Sequence, residues 1–430
     1  MKLVVFNVKF SENLGDGLLA ACMETALSEQ ADIEVETIDL AGRREFGTTS
    51  RNRRRFIRIL HTLPPFARRL VVHLALRSKL AELRQEWDSK LATADAVVLG
   101  GGNLLQDDDL NFPLKVGTLA DCVRRRGIPL AVYAVGVSGH WSARAHSLFS
   151  RIDQAGLVHM SVRDETARAN WIRHFPEGPV PIVLPDPGLL TGRSFPPNAQ
   201  GRQYDAADVI GVCVTDPIIL VHHADKNGAE IGLRTVDDYS ELVRLLVRQG
   251  HRVRLFSNGA REDQAFAEQI FTSRELAPLR GTEQLELADR PTLPEQLVGI
   301  IGSTSGIIAH RLHACIAAYA MAIPHVGLGW DSKVESFFRS VAREAFFAKG
   351  ELATPNRLAA LIDAALRQGI DRTEHESRIA ATFAGVAAMK AALLERSGNV
   401  RFGEMSQTDA DQAKHSLQPA WLEPPFALES

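Results

Sequence analysis

The residues of this chain best suited to chemistry are an arginine and a histidine two positions apart, Arg311 and His313. The apolar run Gly306–Ala309 predicts a buried strand, and the Ala-rich stretch after the pair predicts a helix. Ligands of open α/β sheets bind where strands end and helices begin, and the free N–H groups there favour an anion. Arg311 offers a planar, permanent charge for carboxylate or phosphate, and His313 can exchange a proton near neutral pH. The pair predicts an anion site that contains a proton donor.

Small polar residues and a second histidine surround this pair. Hydroxyl-bearing residues precede the predicted strand, and two further residues alternate with Arg311 and His313. We predict that these neighbours contact the bound ligand: Ser303, Thr304, Ser305, His310 and Leu312. The alternative is that Arg311 makes a structural ion pair and that His313 satisfies helix N–H groups.

Two more cations follow predicted strands. The strand Leu157–Val162 ends at Arg163, and Asp164 can cap the next helix. Arginines from two facing domains would converge across a cleft, which suits a ligand with two anionic ends. Lys333 follows the last long strand and could reach a phosphate as a point charge. The alternatives are an interdomain salt bridge for Arg163 and a surface pair with Asp331 for Lys333.

Two glycine-containing turns follow predicted strands in the first half of the chain. Glycine lets the backbone approach a ligand closely, and a neighbouring aspartate can cap a helix or accept a hydroxyl. The spacing G-x-G-x-x-G is absent, so neither turn is a dinucleotide fingerprint. The predicted ligand contacts are Asn13, Gly15, Asp16, Gly101, Gly102 and Asn103. The alternative for Gly101 and Gly102 is a turn that needs a positive φ.

The pattern of possible metal ligands predicts no metal site. The aspartates 107–109 are consecutive, so their carboxylates point in different directions, and we interpret them as a solvated loop or as acceptor-sugar contacts. The four cysteines are far apart and form no C-x-x-C pair, which argues against structural zinc and disulfides. Such cysteine usage fits a reducing cytoplasm.

Short apolar runs alternate with helical patterns along the chain, which predicts an α/β fold. We predict an N-terminal Rossmann-like domain over residues 1–195 and a second over 209–350, separated by a polar linker at 194–208. A weak strand is predicted at 299–301. Residues 351–397 form a helical extension that could return to the first domain, and 398–430 are predicted to be a disordered tail.

Composition excludes several classes of protein. The 430 residues, of which 45% are hydrophobic, suffice for two core-bearing domains. The formal net charge of -3 argues against general nucleic-acid binding. No run of 18 apolar residues predicts a membrane span, and the first residues are typical of a strand rather than a signal peptide. We therefore expect a cytoplasmic protein.

A basic insertion interrupts the first domain. Residues 43–84 contain twelve Lys or Arg and two Glu, interleaved with apolar residues. An amphipathic basic helix of this kind could lie on an anionic membrane surface. The alternative is a solvated helical insertion that packs one face on its own domain.

Taken together, the motifs resemble the polysaccharide pyruvyl transferase family. Their order and spacing over most of residues 1–340 are more specific than any one of them. The matching pieces are Asn13-Leu-Gly-Asp, Val97-Val-Leu-Gly-Gly-Gly-Asn103, Ala134-Val-Gly-Val137, Ser161-Val-Arg-Asp164, Asp186-Pro-Gly, Arg311-Leu-His-Ala314 and Trp330-Asp-Ser-Lys333. Ala322 and Trp330 depart from the family's usual Gly and Tyr, which bears on the acceptor more than on the donor.

The resemblance implies two Rossmann-like domains in a GT-B-type arrangement with a C-terminal helical segment. It implies transfer of the enolpyruvyl unit of phosphoenolpyruvate to a sugar, giving a cyclic ketal and phosphate, with no cofactor. Arg163 matches the family motif S-x-R-[DE]. Arg311 and His313 match R-L-H, whose His is taken as the proton donor, and Lys333 matches a frequent Lys.

Two other functions remain open at this stage. A GT-B-type glycosyltransferase would use a nucleotide sugar, with Glu335 available for the ribose. A non-catalytic glycan-binding protein would bind oligosaccharide alone, because fold does not determine function. The basic insertion makes a lipid-linked acceptor at the cytoplasmic face of a membrane plausible.

Overall fold

The computed structural model describes residues 1–29, 33–47, 64–196, 209–223 and 231–397. The predicted basic insertion, linker and tail therefore fall wholly or partly outside the described residues. Within them, two six-stranded parallel sheets with packed helices form two domains, as the alternation of apolar runs predicts.

The first domain has strand order β2-β1-β3-β4-β5-β6. Its elements are β1 Lys2–Asn7, α1 Leu14–Ser28, β2 Glu34–Asp39, α2 Pro65–Leu91, β3 Ala96–Gly100, α3 Asn111–Arg126, β4 Leu130–Val135, α4 Ala143–Phe149, β5 Leu157–Val162, α5 Glu165–His174, β6 Ile182–Val183 and α6 Thr191–Ser194.

The central strands of this sheet are covered on both faces, which explains their continuous apolar runs. In β1, Leu3 and Val5 belong to one hydrophobic cluster, whereas Val4 and Phe6 belong to another. The ring of Phe6 meets Trp87 of α2 edge-on at 5.5 Å. The C-terminal half of α2 thus packs one face on its own domain.

The second domain has strand order β12-β11-β10-β7-β8-β9. Its elements are β7 Val209–Val214, α7 Pro217–His223, α8 Val236–Arg248, β8 Arg252–Ser257, α9 Arg261–Phe271, β9 Leu285–Leu287, α10 Pro294–Gly302, β10 Gly306–Ala309, α11 Leu312–Ala320, β11 His325–Leu328, α12 Ser332–Ser340, β12 Phe347–Ala348 and α13 Pro355–Gln368.

The strand predicted at 299–301 is wrong, because these residues lie in helix α10. Leu297, Val298 and Ile301 of that helix are buried, a spacing that belongs to one helical face rather than to a strand. The edge strands β9 and β12 have only three and two residues, too few to show a period.

A last helix, α14 (Arg372–Ser397), leaves the second domain and packs on the first. Its Val386, Met389 and Leu393 are buried, and the hydroxyl of Tyr133 in β4 donates to its Thr382 carbonyl at 3.2 Å. Among the described residues, α14 is the one helix with the length and composition of a membrane span. Its buried face is nevertheless in contact with the first domain.

The domains meet through the loops and helices that follow the carboxyl ends of their strands. The backbone N–H of Leu14 donates to the Asn258 carbonyl at 3.0 Å, and the hydroxyls of Thr166 and Ser336 lie 3.1 Å apart. These contacts place the carboxyl edges of both sheets face to face, so residues that follow strands in either domain can share one cleft.

A candidate active site between the two domains

His313 lies where the first turns of two helices from different domains meet. Strand β10 ends at Ala309, and Arg311 precedes α11 in extended backbone, which puts His313 in the first turn of that helix. Its ring packs on the backbone of Gly15 in α1, where a Cβ would lie 2.5 Å from Nδ1. Nδ1 also lies 3.7 Å from Oδ1 of Asp16. Glycine at position 15 is therefore required for the ring to fit.

The surroundings of His313 keep the ring neutral. Burial lowers its pKa to about 3, and the charges of Arg163, Lys333 and Arg311 act in the same direction, with Asp331 opposing them. Nε2 is buried and has no hydrogen-bond partner among the described residues. Nε2 is therefore available to a ligand, and three cations lie near the ring.

Arg311 is held by a buried carboxylate. Its Nη2 and Nε donate to Oδ2 of Asp263 at 2.5 and 3.1 Å, and Oδ1 of Asp263 accepts from the Asp216 N–H at 2.8 Å. The structural ion pair considered above is therefore present. Nη1 makes no hydrogen bond within the described part of the chain, which leaves one edge of the guanidinium for a ligand.

Arg163 makes its ion pair within its own domain rather than across the cleft. Its Nε donates to Oδ2 of Asp164 at 3.2 Å, and its side chain is only 7% exposed. Nη2 lies against Gly136, at 2.8 Å from the position of a Cβ, and Oδ1 of Asn103 crowds the same point. Nδ2 of Asn103 donates to Gln106 at 2.6 Å. A side chain at 136 would displace both groups.

Lys333 and Glu335, both in α12, each have a nearby partner of opposite charge. Nζ of Lys333 lies 2.7 Å from Oδ2 of Asp331 and 5.3 Å from the centre of the Trp330 ring. The lysine still repels a proton on His313, so it lies within electrostatic reach of the ring. Glu335 pairs with Lys349 at 2.7 Å.

The two glycine-containing turns face the same cleft. Gly101 and Gly102 have φ values of +76° and +81°, so these positions need glycine, as the alternative interpretation proposed. Oδ1 of Asp16 lies 4.0 Å from the Cβ position of Gly102. Burial raises the pKa of Asp16 to about 6, while a hydrogen bond from Ser11 and the charges of Arg43 and Arg311 oppose the rise. Asn13 caps α1 and accepts a hydrogen bond from the side chain of Asn258.

The prediction that three hydroxyls lie at this site needs correction. Strand β10 separates them from Arg311, so they lie at the opposite edge of the parallel sheet. Each hydroxyl donates to a backbone carbonyl there: Ser303 to Ile300, Thr304 to Ile301 and Ser305 to Val209. They precede the strand, whereas ligands bind after it.

His310 also belongs to the core rather than to the cleft. Its Nε2 lies 3.0 Å from the Gly232 carbonyl and Nδ1 lies 3.5 Å from the Tyr239 hydroxyl, and the ring is fully buried. Burial lowers its pKa to about 4. The ring can contact a ligand only if these bonds break. Leu312 opens α11 beside the site and is half-buried.

Sequence reasoning did not single out the carboxyl group of Asp186 as a site residue. Oδ1 accepts from the Gly188 N–H at 2.9 Å, whereas Oδ2 is buried without a partner among the described residues. Burial raises its pKa to about 6, and the charge of Arg163 opposes the rise. The available signal was the motif Asp186-Pro-Gly, which follows a strand and is one of the pieces of the family resemblance.

The described residues contain no group of three His, Cys, Asp or Glu side chains that could hold a metal ion. Asp107 is used by the backbone: Oδ1 accepts from the Leu110 N–H at 3.0 Å and Oδ2 from the Ser142 N–H at 2.8 Å. The first aspartate of 107–109 thus organises the loop.

Comparisons with known proteins identify a family and several solved structures of similar fold. A family model described as polysaccharide pyruvyl transferase matches residues 13–332. No curated protein matches the sequence.

Solved structures with a similar fold have very different sequences. The co-structure of S. aureus MnaA with UDP has a TM-score of 0.53 at 8% identity, covering 93% of this chain and 97% of that one. UDP-N-acetylglucosamine 2-epimerase from Rickettsia bellii gives 0.53 at 9% identity, with coverages of 93% and 97%. UDP-GlcNAc 2-epimerase from Methanocaldococcus jannaschii gives 0.52 at 12%, with coverages of 86% and 94%. The fold is therefore of the GT-B type.

Proposed function

The chain belongs to the polysaccharide pyruvyl transferase family, and we propose that it moves the enolpyruvyl unit of phosphoenolpyruvate onto a sugar and releases phosphate. One observation carries this proposal. Three cations surround a buried histidine whose Nε2 has no hydrogen-bond partner among the described residues, and these cations come from both sides of the interdomain cleft. Such a site suits a small donor that is anionic at both ends and needs a proton.

The donor's two anionic groups would be divided among Arg163, Arg311 and Lys333. Arg163 and Arg311 are already fixed by Asp164 and Asp263, so little ordering is needed when the donor binds. The first turn of α11 places its N-terminal backbone N–H groups close to His313, where a helix favours an anion. These groups would also stabilise the departing phosphate.

His313 would act as the acid that protonates the donor. Nε2 gives its proton to the methylene carbon, whose π electrons form the new C–H bond, and positive charge develops at the central carbon. A sugar hydroxyl attacks that carbon, and phosphate leaves with the electrons of its C–O bond. A second hydroxyl closes the ketal. Of the two hydroxyl protons, one leaves with phosphate and the other restores His313.

The acceptor would approach from the first domain. The left-handed backbone of Gly101 and Gly102 and the side chains of Asn103 and Asp16 line that side of the cleft. The acceptor class we propose is a sugar of a polysaccharide or of its repeat unit. The basic insertion favours a lipid-linked repeat, and the protein would then act at the cytoplasmic face of a membrane.

A thermal-shift titration tests the choice of donor. We expect phosphoenolpyruvate to raise the melting temperature, because a ligand that binds only the folded chain stabilises it. Arg163→Gln and Lys333→Gln should weaken that response tenfold or more in apparent Kd. Arg168→Gln is the matched control, since Arg168 is an exposed cation on α5 that pairs with Glu165 at 3.4 Å.

UDP-, GDP- and ADP-sugars and inorganic phosphate are measured beside the donor. If a nucleotide sugar raises the melting temperature and phosphoenolpyruvate does not, the protein is a glycosyltransferase and His313 is not an acid that protonates phosphoenolpyruvate. A response to oligosaccharide alone would indicate a glycan-binding protein.

A further inference from the structure

A carboxylate from the first domain faces the proposed acid of the second. Oδ1 of Asp16 in α1 lies 3.7 Å from Nδ1 of His313 in α11, and the two side chains are 17% and 10% exposed. Among the described residues, no other carboxylate lies within 4.0 Å of either ring nitrogen. The carboxylate in contact with this ring therefore comes from the other domain.

We propose that Asp16 is a positioning residue that holds the Nδ1–H of His313 and so aims Nε2 at the donor. This role rests on the proposed function. The nitrogen that carries the proton in a neutral imidazole is set by the hydrogen bond that the other nitrogen makes. With Nδ1–H directed at Asp16, the unpartnered Nε2 is the nitrogen that accepts and delivers the catalytic proton.

The charges around the ring explain why a carboxylate is needed there. Arg163, Arg311 and Lys333 disfavour the imidazolium, whereas Asp331 favours it from the second domain. Among the described residues, Asp16 is the carboxylate of the first domain that lies within 4.0 Å of the ring. Its negative charge and those of the donor then act together.

Gly15 fixes the separation between the two partners. The imidazole lies against its Cα, so the carboxylate of the next residue reaches the ring edge. An alanine at 15 would push the ring away while leaving the carboxylate in place. Gly15→Ala therefore tests the geometry of the pair independently of its charge.

The distance between the partners makes the pair sensitive to domain closure. A hydrogen bond to a carboxylate needs a separation of about 2.7–3.2 Å, so an approach of roughly 0.7 Å would complete it. The partners belong to different domains, which meet through Asn13 and Asn258 beside them. Domain closure would therefore shorten a contact that already orients the ring in this structure.

The test reads the protonation state of the ring directly. Long-range proton–nitrogen spectra of protein labelled with 15N-histidine distinguish Nδ1–H from Nε2–H, and the His313 signals are identified by their loss in His313→Gln. Without donor, wild type should show the Nδ1–H form. Asp16→Asn and Gly15→Ala should shift the population toward Nε2–H, while Glu24→Gln, which removes another carboxylate of α1, should not.

A second measurement uses phosphoenolpyruvate without any acceptor. Wild type should show a doubly protonated His313 at pH 7 when the donor is bound. In Asp16→Asn the protonated fraction should fall below half, with less than a tenfold change in donor Kd. A role for Asp16 as base toward the sugar would leave this donor-only result unchanged and would overturn the proposal.

The two proposals fail in distinguishable ways. If wild type does not bind phosphoenolpyruvate, the proposed function fails, yet the donor-free spectra still decide whether Asp16 sets the tautomer. If donor binds but the spectra of Asp16→Asn and Gly15→Ala match wild type, the positioning role is wrong and the donor assignment stands.

Discussion

Binding of phosphoenolpyruvate should be accompanied by uptake of a proton on His313. Burial and the neighbouring cations lower the pKa of His313 to about 3. At pH 7 only about one ring in ten thousand is then charged. An acid catalyst must carry its proton when the donor is bound, so the donor itself has to raise the pKa.

The required change can be estimated from charge alone. Raising the pKa from about 3 to about 7 needs about 5 kcal/mol. A unit charge roughly 6 Å away contributes about 3 kcal/mol at an effective dielectric constant of about 20, which is about two pKa units. The donor carries a carboxylate and a phosphate of charge about -1.5 to -2. Its charges are therefore sufficient, and we expect uptake of about half a proton or more at pH 7.

Calorimetric titration in two buffers of different ionisation enthalpy measures this uptake. The sign of the pH dependence follows, because the pKa in the complex exceeds that of the free site. Donor affinity should rise as pH falls between these two values, by up to about tenfold per unit, and should level off above the higher one. His313→Gln should lose this component, which separates it from titration of the donor phosphate near pH 6.

Equal proton uptake by wild type and His313→Gln would refute this reasoning. The ring would then remain neutral in the complex, and the acid would have to be sought elsewhere. The raised pKa values of Asp16 and Asp186, both about 6, make these carboxyls the next residues to replace.

Three further predictions follow from individual side chains. Burial lowers the pKa of His325 to about 3, so the folded state binds fewer protons than the unfolded state below pH 6.5. This residue alone should therefore reduce the free energy of unfolding by about 2 kcal/mol when the pH falls from 7 to 5. Denaturant titrations of wild type and His325→Asn at both pH values check this. Gly136→Ala should weaken donor binding tenfold or more in a thermal-shift titration because it displaces Arg163, whereas Gly139→Ala, whose Cβ comes no closer than 3.3 Å to a neighbour, should not. Binding to anionic vesicles should weaken with salt, and it should fall strongly when five arginines of the basic insertion are replaced by Gln, namely Arg51, Arg53, Arg54, Arg55 and Arg58. Equal binding by that variant would contradict a membrane role. Replacement of Arg261, Arg274 and Arg280 is the control.

Sequence reasoning worked best where one local pattern determined the structure. Continuous apolar runs such as Leu130–Val135 identified buried parallel strands, and the end of such a strand gave the position of Arg163. The short edge strands Leu285–Leu287 and Phe347–Ala348 carry no usable period and were missed.

The partners of the site residues could not be read from local pattern. Asp263 holds Arg311 across 48 residues, and Asp16 meets His313 across the domain interface. The error with Ser303 has a different origin, because proximity in sequence was taken for proximity in space. A strand of only four residues is enough to carry a side chain to the other edge of the sheet.

The return of α14 to the first domain limits how the cleft can open. The chain passes from the first domain to the second once, after residue 196, and passes back near Gly369 (φ +69°), between α13 and α14. The second crossing and the packing of α14 on the first domain limit how far the two domains can separate. Any opening of the cleft would lengthen the distance between Asp16 and His313, because the two residues belong to different domains.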